Sequence, residues 1–326
     1  MPSIERLYVR LPNWVGDVCM SLPALSLLQA AGLPLALCAR PWARDLLAAL
    51  PPHGFVPMTG RVWRDRAAVR ADRAGLGLAR RGVRGLLLPD SLSSAAVFAL
   101  AGVASAGYRD DGRSPLLAWP VRKPGQAMHA VQSWYGLARE ALRRWGLDPG
   151  PAGPGPARLP LTEAHRAAAA QLLAAQGLAA GGFVLIAPTA TGLHRGQVKV
   201  WPHFDAYVRA LQARGVTVAM CPPPAEAEQA RRNAPTALLL PPQPLGAYAA
   251  LARHAALVVC NDSGVSHLAA AVGARQLTLF GVTERARTGP WSPLACCLGE
   301  PGAWPAPEDA LAQTDALLQP PLPLAT

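Results

Sequence analysis

Short apolar runs rich in Val, Leu and Ile recur along this chain, separated by longer Ala- and Leu-rich stretches whose polar residues follow helical spacing. Runs of four to six such residues bounded by Gly, Pro or Asn predict buried strands, and longer periodic ones predict helices. In the first half, strands are expected at 7–11, 35–38 and 85–88, and helices at 22–31, 43–50 and 131–142. The alternation restarts after residue 160. Helices are expected at 162–176, 204–214, 225–233, 245–254 and 265–272, with strands at 183–187, 216–221, 237–240, 257–260 and 276–280. Between the halves, residues 147–156 read Leu-Asp-Pro-Gly-Pro-Ala-Gly-Pro-Gly-Pro, which can continue neither a helix nor a central strand. Repeated β-α alternation on both sides of such a break predicts an α/β protein with two doubly wound parallel-sheet domains. The expected division is an N-terminal domain at 1–150, a Pro/Gly linker at 151–160, a C-terminal domain at 161–305 and a Pro-rich tail at 306–326 with one short helix near 308–318. Ligands are expected at the carboxyl ends of the strands, in a cleft between the domains.

Composition narrows the partners. Hydrophobic residues make up 51% of the 326, yet the longest apolar candidate, around 95–107, is too short to span a bilayer, so a soluble protein is expected. Glu5 and an early strand-like run stand where a signal peptide would need a basic and then an apolar region, which predicts a cytosolic location. The six cysteines form no C-x-x-C pair and indicate neither a zinc site nor a disulfide framework. No cofactor is called for, and metal dependence stays open. Lys and Arg outnumber Asp and Glu by 31 to 20, a formal charge of +11, which suits an anionic partner. A compositional bias toward Arg would give the same balance. Nucleic acid is not expected, since no aromatic RNA-binding motif, zinc finger or dense basic block is present. Dinucleotide binding is not indicated either: Gly75-Leu76-Gly77 follows an Arg-rich stretch instead of a strand.

Three segments carry candidate chemistry. The run 256–260 leads directly into Asn261-Asp262-Ser263-Gly264 and an Ala-rich helix, a strand-turn-helix whose first-turn N–H groups favour a phosphate. Taken alone, Asp262 or Ser263 reads equally as a helix N-cap. The first strand ends in Leu11-Pro12-Asn13-Trp14-Val15-Gly16-Asp17, so Asp17 falls at a strand-to-helix turn where a carboxylate can take a proton from a hydroxyl, or simply cap the helix. Lys199 precedes Trp201-Pro202, and Pro202 suits the first turn of a helix, which places the lysine beside that pole. Thr189 and Thr191 add hydroxyl donors on the preceding loop.

Taken in their order along the chain, the motifs, together with Gly107-Tyr108-Arg109 through Arg113, resemble the lipopolysaccharide heptosyltransferases of glycosyltransferase family 9, and among these the heptosyltransferase II type. The resemblance spans nearly the whole chain. It implies a GT-B fold of two Rossmann-like domains, the first binding acceptor and the second binding ADP-heptose. On that resemblance Asp17 is the general base, Lys199 a ligand of the donor phosphates, and Asp262, Ser263, Gly264 and His267 the holders of the diphosphate. Glu226 would meet the nucleoside or sugar, with Thr189 and Thr191 nearby. Three prolines precede it where family members usually carry glycine, and the spacer from Thr189 to Lys199, with His194 and Arg195, is longer than in close relatives.

Asn13, Trp14, Gly16, Arg109, Arg113, Arg122 and Lys123 would face an anionic lipid A–Kdo core. A single base implies inversion, from a β-linked nucleotide sugar to an α-linked heptose. Contact with the cytoplasmic face of the inner membrane would be peripheral and electrostatic, because no amphipathic anchor stands out. Two rivals remain: a family member with another donor or acceptor, and a non-catalytic nucleotide-sugar or glycolipid binder.

Overall fold

Strands that are apolar at every position must be covered on both faces, and the helices between them provide that cover. In the computed structural model, which describes residues 4–50, 54–125, 127–194 and 196–318, the chain forms two compact units, residues 1–157 and 158–326. Arg195 and the end of the expected tail lie outside the described residues.

The first unit runs β1 (Arg6–Arg10), α1 (Val15–Met20), α2 (Leu22–Ala30), β2 (Leu35–Ala39), α3 (Ala43–Leu46), β3 (Gly54–Pro57) and α4 (Val62–Gly75). It continues with β4 (Val83–Leu87), α5 (Leu92–Leu100), β5 (Ser105–Tyr108), β6 (Trp119–Val121) and α6 (Ala130–Arg144). All its strands are parallel, in the order β3-β2-β1-β4-β5-β6. β1 and β2 are buried along their whole length, and Tyr8, Ala36, Leu87 and Phe98 share one core cluster.

The second unit runs α7 (Glu163–Ala175), β7 (Phe183–Ala187), a small antiparallel pair β8 (Leu193–His194) and β9 (Gln197–Val198), α8 (Phe204–Ala213), β10 (Thr217–Met220) and α9 (Ala227–Asn233). Then come β11 (Leu238–Leu239), α10 (Leu245–His254), β12 (Leu257–Asn261), α11 (Gly264–Ala271), β13 (Gln276–Leu279), α12 (Arg285–Thr288), β14 (Ala295–Leu298) and α13 (Pro307–Leu318). Its parallel sheet has the order β11-β10-β7-β12-β13-β14, the same pattern as the first. α13 is built into this unit: Ala310 and Thr314 are buried, and the Tyr207 and Thr314 hydroxyls lie 2.6 Å apart.

The sheets are the Rossmann-like pair the alternation predicts. Several elements depart from the pattern. α4 was not expected, because its inward face is built largely from polar anchors: Asp65 accepts from Thr59 N–H, Thr59 Oγ1 and Gly60 N–H, and Asp72 takes the Arg6 and Tyr8 side chains. The apolar stretch 95–107 is not one element but the end of α5, a turn through Gly102 (φ 73°) and most of β5. Among the described residues, no helix is long and apolar enough to cross a membrane.

Candidate functional site

In each sheet the strand order reverses direction at one point, and loops leaving the carboxyl ends there diverge to form a natural binding position. In the second unit that point lies between β7 and β12. The loop after β7 carries Pro188 and Thr189, and the loop after β12 carries Asp262 and Ser263. Asn261, fully buried at the end of β12, ties three segments together. Its Oδ1 accepts from Trp201 N–H at 2.8 Å, and its Nδ2 donates to the Ala187 and Thr189 carbonyls at 3.4 and 3.3 Å. Trp201 is in turn fixed in the core, its indole N–H donating to the Pro305 carbonyl at 2.9 Å and its ring meeting Phe204 and Tyr207 edge-on.

Trp201 pins the backbone two residues beyond Lys199, whose ammonium donates to the Asp262 carbonyl at 3.1 Å. α8 begins only at Phe204, with His203 at its N-cap, so Pro202 precedes the helix instead of opening it. The pole beside Lys199 is therefore the start of α11. Ser263 is the N-cap of that helix, in extended backbone, with Oγ accepting from Val265 N–H at 3.3 Å. Ser266 N–H donates to the Ser263 carbonyl at 3.1 Å, and the turn lies at the positive end of the helix dipole. Gly264, at the first helical position, is half-buried.

Asp262 is buried beneath this turn. Its Oδ2 accepts from Thr283 Oγ1 at 2.6 Å, and its Oδ1 lies 3.9 Å from His267 Nε2, itself buried. Both residues thus brace the turn from within. Thr189 is buried, and its hydroxyl donates to Glu226, which ends a short helical turn after the three prolines. The proline loop therefore still brings this carboxylate to the β7 loop. Thr191 is exposed. Cys260, on β12, has its thiol pushed up to about 12 by burial and is inert at neutral pH.

In the first unit the reversal lies between β1 and β4. Trp14 is the N-cap of α1, without a side-chain hydrogen bond, so Asp17 is not a cap; it is half-buried in the first turn, where the helix dipole favours a carboxylate. Arg10, buried at the end of β1, shapes the loop that leads there. Its guanidinium donates to the Leu11 carbonyl, to the Cys38 carbonyl at 3.5 Å and to Asn13 Oδ1 at 2.7 Å. Asn13 and Trp14 are exposed, whereas Gly16 is buried.

Arg113 departs from the expected basic face. It is fully buried, with Nε donating to the Tyr108 carbonyl at 2.8 Å and its other nitrogens to the Pro89 and Ser91 carbonyls and Asp90. A Cβ on Gly107 would lie 3.0 Å from Arg113 Nη2, which explains the glycine of the Gly107-Tyr108-Arg109 motif by close packing. Lys123 spends its charge on Asp90 and Asp110, at 2.5 and 3.1 Å. Arg109 and Arg122 are exposed.

The model of the family described as glycosyltransferase family 9 (heptosyltransferase) matches residues 81–314, most of the chain. The chain belongs to this family. Solved structures agree on the fold. The E. coli ADP-heptose lps heptosyltransferase II is 23% identical with a TM-score of 0.76, over 96% of this chain and 98% of that one. E. coli heptosyltransferase WaaC with ADP is 21% identical with a TM-score of 0.72, over 96% and 99%. A family 9 glycosyltransferase from Veillonella parvula is 15% identical with a TM-score of 0.80, over 97% of both chains. No curated protein matches the sequence.

As a family 9 glycosyltransferase the chain has the GT-B fold, with Lys199, Glu226 and the 261–267 segment inside the matched span and Asp17 ahead of it. The structure also assigns work to Asn261, Thr283, Asn233 and Arg10, which motif reading passes over. Asn233 Nδ2 donates to the Pro188 carbonyl at 2.7 Å and so holds the same β7 loop. Asn261 had a signal: a polar amide closing an otherwise apolar central strand. Thr283 and Asn233 had none, because their partners are distant in sequence.

Proposed function

We propose that this glycosyltransferase is an inverting, heptosyltransferase II-like enzyme that moves heptose from ADP-L-glycero-β-D-manno-heptose to the inner core of lipopolysaccharide. The observation that carries the reading is the Lys199 ammonium 3.1 Å from the Asp262 carbonyl, at the positive end of α11. A cation beside the positive end of a helix dipole suits the diphosphate of a nucleotide sugar, whose negative charge grows as the glycosidic bond breaks. Asp17, in the first turn of α1, takes the proton of the attacking acceptor hydroxyl. Because one carboxylate and one leaving group suffice, displacement proceeds with inversion. Glu226, oriented by Thr189, selects the nucleoside or sugar. Exposed Asn13, Trp14, Arg109 and Arg122 contact an anionic lipid A–Kdo acceptor.

The likeness to the E. coli ADP-heptose lps heptosyltransferase II supports this choice of donor and acceptor, and the likeness to E. coli WaaC with ADP supports an adenine nucleotide. ADP release from ADP-heptose is to be followed with a lipid A–Kdo acceptor already carrying one heptose, beside matched UDP- and GDP-sugars. Turnover confined to ADP-heptose is expected. Turnover only with another nucleotide sugar, or binding without any turnover, would overturn the proposal.

A further inference from the structure

One surface of the first unit has no part in this chemistry. α4 contains two acidic side chains, and both are turned inward: Asp65 is 3% exposed, and Asp72 is held by Arg6 and Tyr8. The residues left outside, Trp63, Arg64, Ala67, Arg70, Ala71 and Ala74, recur at helical spacing and form one face without an acid. Trp63 is 68% exposed. The Arg66 guanidinium lies over its ring, 5.6 Å from the centroid, while Arg66 Nε donates to the carbonyl of Leu100 at the end of α5. Leu100 is itself 45% exposed, so a large aromatic and an aliphatic side chain share one patch with guanidinium groups. Arg73 extends it past α5 by donating to the Ala101 and Gly102 carbonyls.

An ordinary solvated helix mixes both signs of charge, and a base-stacking surface would use the Trp63 ring but has no use for the exposed aliphatic Leu100 beside it. Amphipathic rings settle at headgroup level, arginine stems cover apolar surface while their heads reach phosphate, and anionic leaflets attract basic segments. We infer that the outer face of α4, with Leu100, docks on an anionic phospholipid bilayer, Trp63 and Leu100 at headgroup depth and Arg64 and Arg70 on lipid phosphates. The inference rests on the lipid-linked acceptor proposed above. It also orients the unit, since α4 starts at the carboxyl edge of the sheet, the edge that carries the 13–17 loop. On this inference α4 supplies an amphipathic anchor that does not stand out in the sequence. It was masked by arginines and by aspartates that point into the core.

The test is sedimentation of the full chain with vesicles of phosphatidylcholine containing phosphatidylglycerol, against phosphatidylcholine alone. Wild type should bind the anionic vesicles and be released by salt. R64A/R70A should bind roughly thirtyfold more weakly, from about fivefold per arginine at an anionic surface, and Trp63→Ala should also bind more weakly. Both variants should keep wild-type turnover on a soluble, delipidated acceptor oligosaccharide. Equal binding of wild type and R64A/R70A to anionic vesicles would overturn the docking surface, as would an arginine-dependent affinity for RNA without vesicle binding. Arginine-dependent vesicle binding by a protein that turns over no lipopolysaccharide acceptor would sustain the surface and sink the proposed function instead.

Discussion

The two sheets have the same strand order, yet their carboxyl edges are held in opposite ways. In the first unit, buried cations do the holding: Arg10 and Arg113 direct their guanidinium groups at backbone carbonyls, and burial lowers the pKa of both. In the second, neutral amides and hydroxyls from Asn261, Asn233 and Thr283 brace the loops, and Lys199 stands at the mouth of a helix. One edge presents a carboxylate, Asp17, in a framework already supplied with internal positive charge. The other presents a cation at the start of a helix, in loops braced by neutral side chains. In the function proposed above, the first edge accepts a proton and the second accepts an anion. It follows that the formal charge of +11 does not locate the ligands, because part of it is spent inside the first unit.

The contrast makes graded predictions. Asp17→Asn should lower turnover roughly a hundred- to ten-thousandfold while donor affinity stays constant, read from steady-state kinetics and ADP titration. Near-normal turnover would mean that the first edge does not supply the base. Arg113→Met should destabilise the protein by about 3 kcal/mol in chemical denaturation, because it strips a buried donor from several carbonyls and Asp90, whereas Arg109→Ala should leave stability alone. Equal stability of the two variants would return Arg113 to the surface role expected from sequence. Asn261→Ala should cost about 2 kcal/mol and weaken donor binding as well, since Trp201 N–H loses its acceptor and Lys199 its fixed backbone. Lys123→Ala should cost less than about 1 kcal/mol, because its ion pairs with Asp90 and Asp110 are exposed to water. A loss as large as that of Arg113→Met would show that the exposed pairs contribute to holding the edge.

Much of the fold was legible because short, fully apolar runs such as 183–187 and 257–260, bounded by turn residues, read as buried strands. α4 was hidden because Asp65 and Asp72 occupy positions where the helical pattern calls for apolar side chains. The 261–264 turn was legible as a strand-turn-helix, and its Ser263 is indeed the cap that local sequence allows. What could not be read was how long side chains cross the fold. Arg113 belongs to a stretch full of exposed charge, and only its place beside Gly107 reveals that it points inward. The pole served by Lys199 was likewise obscured, since Pro202 suggested the adjacent helix while the ammonium reaches one that starts more than sixty residues later.

The anion-accepting edge is tested most directly by calorimetric titration of ADP and of adenosine into wild type and Lys199→Ala. Removing one charge-assisted contact to phosphate should weaken ADP binding about ten- to a hundredfold and leave adenosine affinity unchanged. An equal loss for both ligands, or no loss for either, would contradict the assignment of Lys199 and the start of α11 to the donor diphosphate.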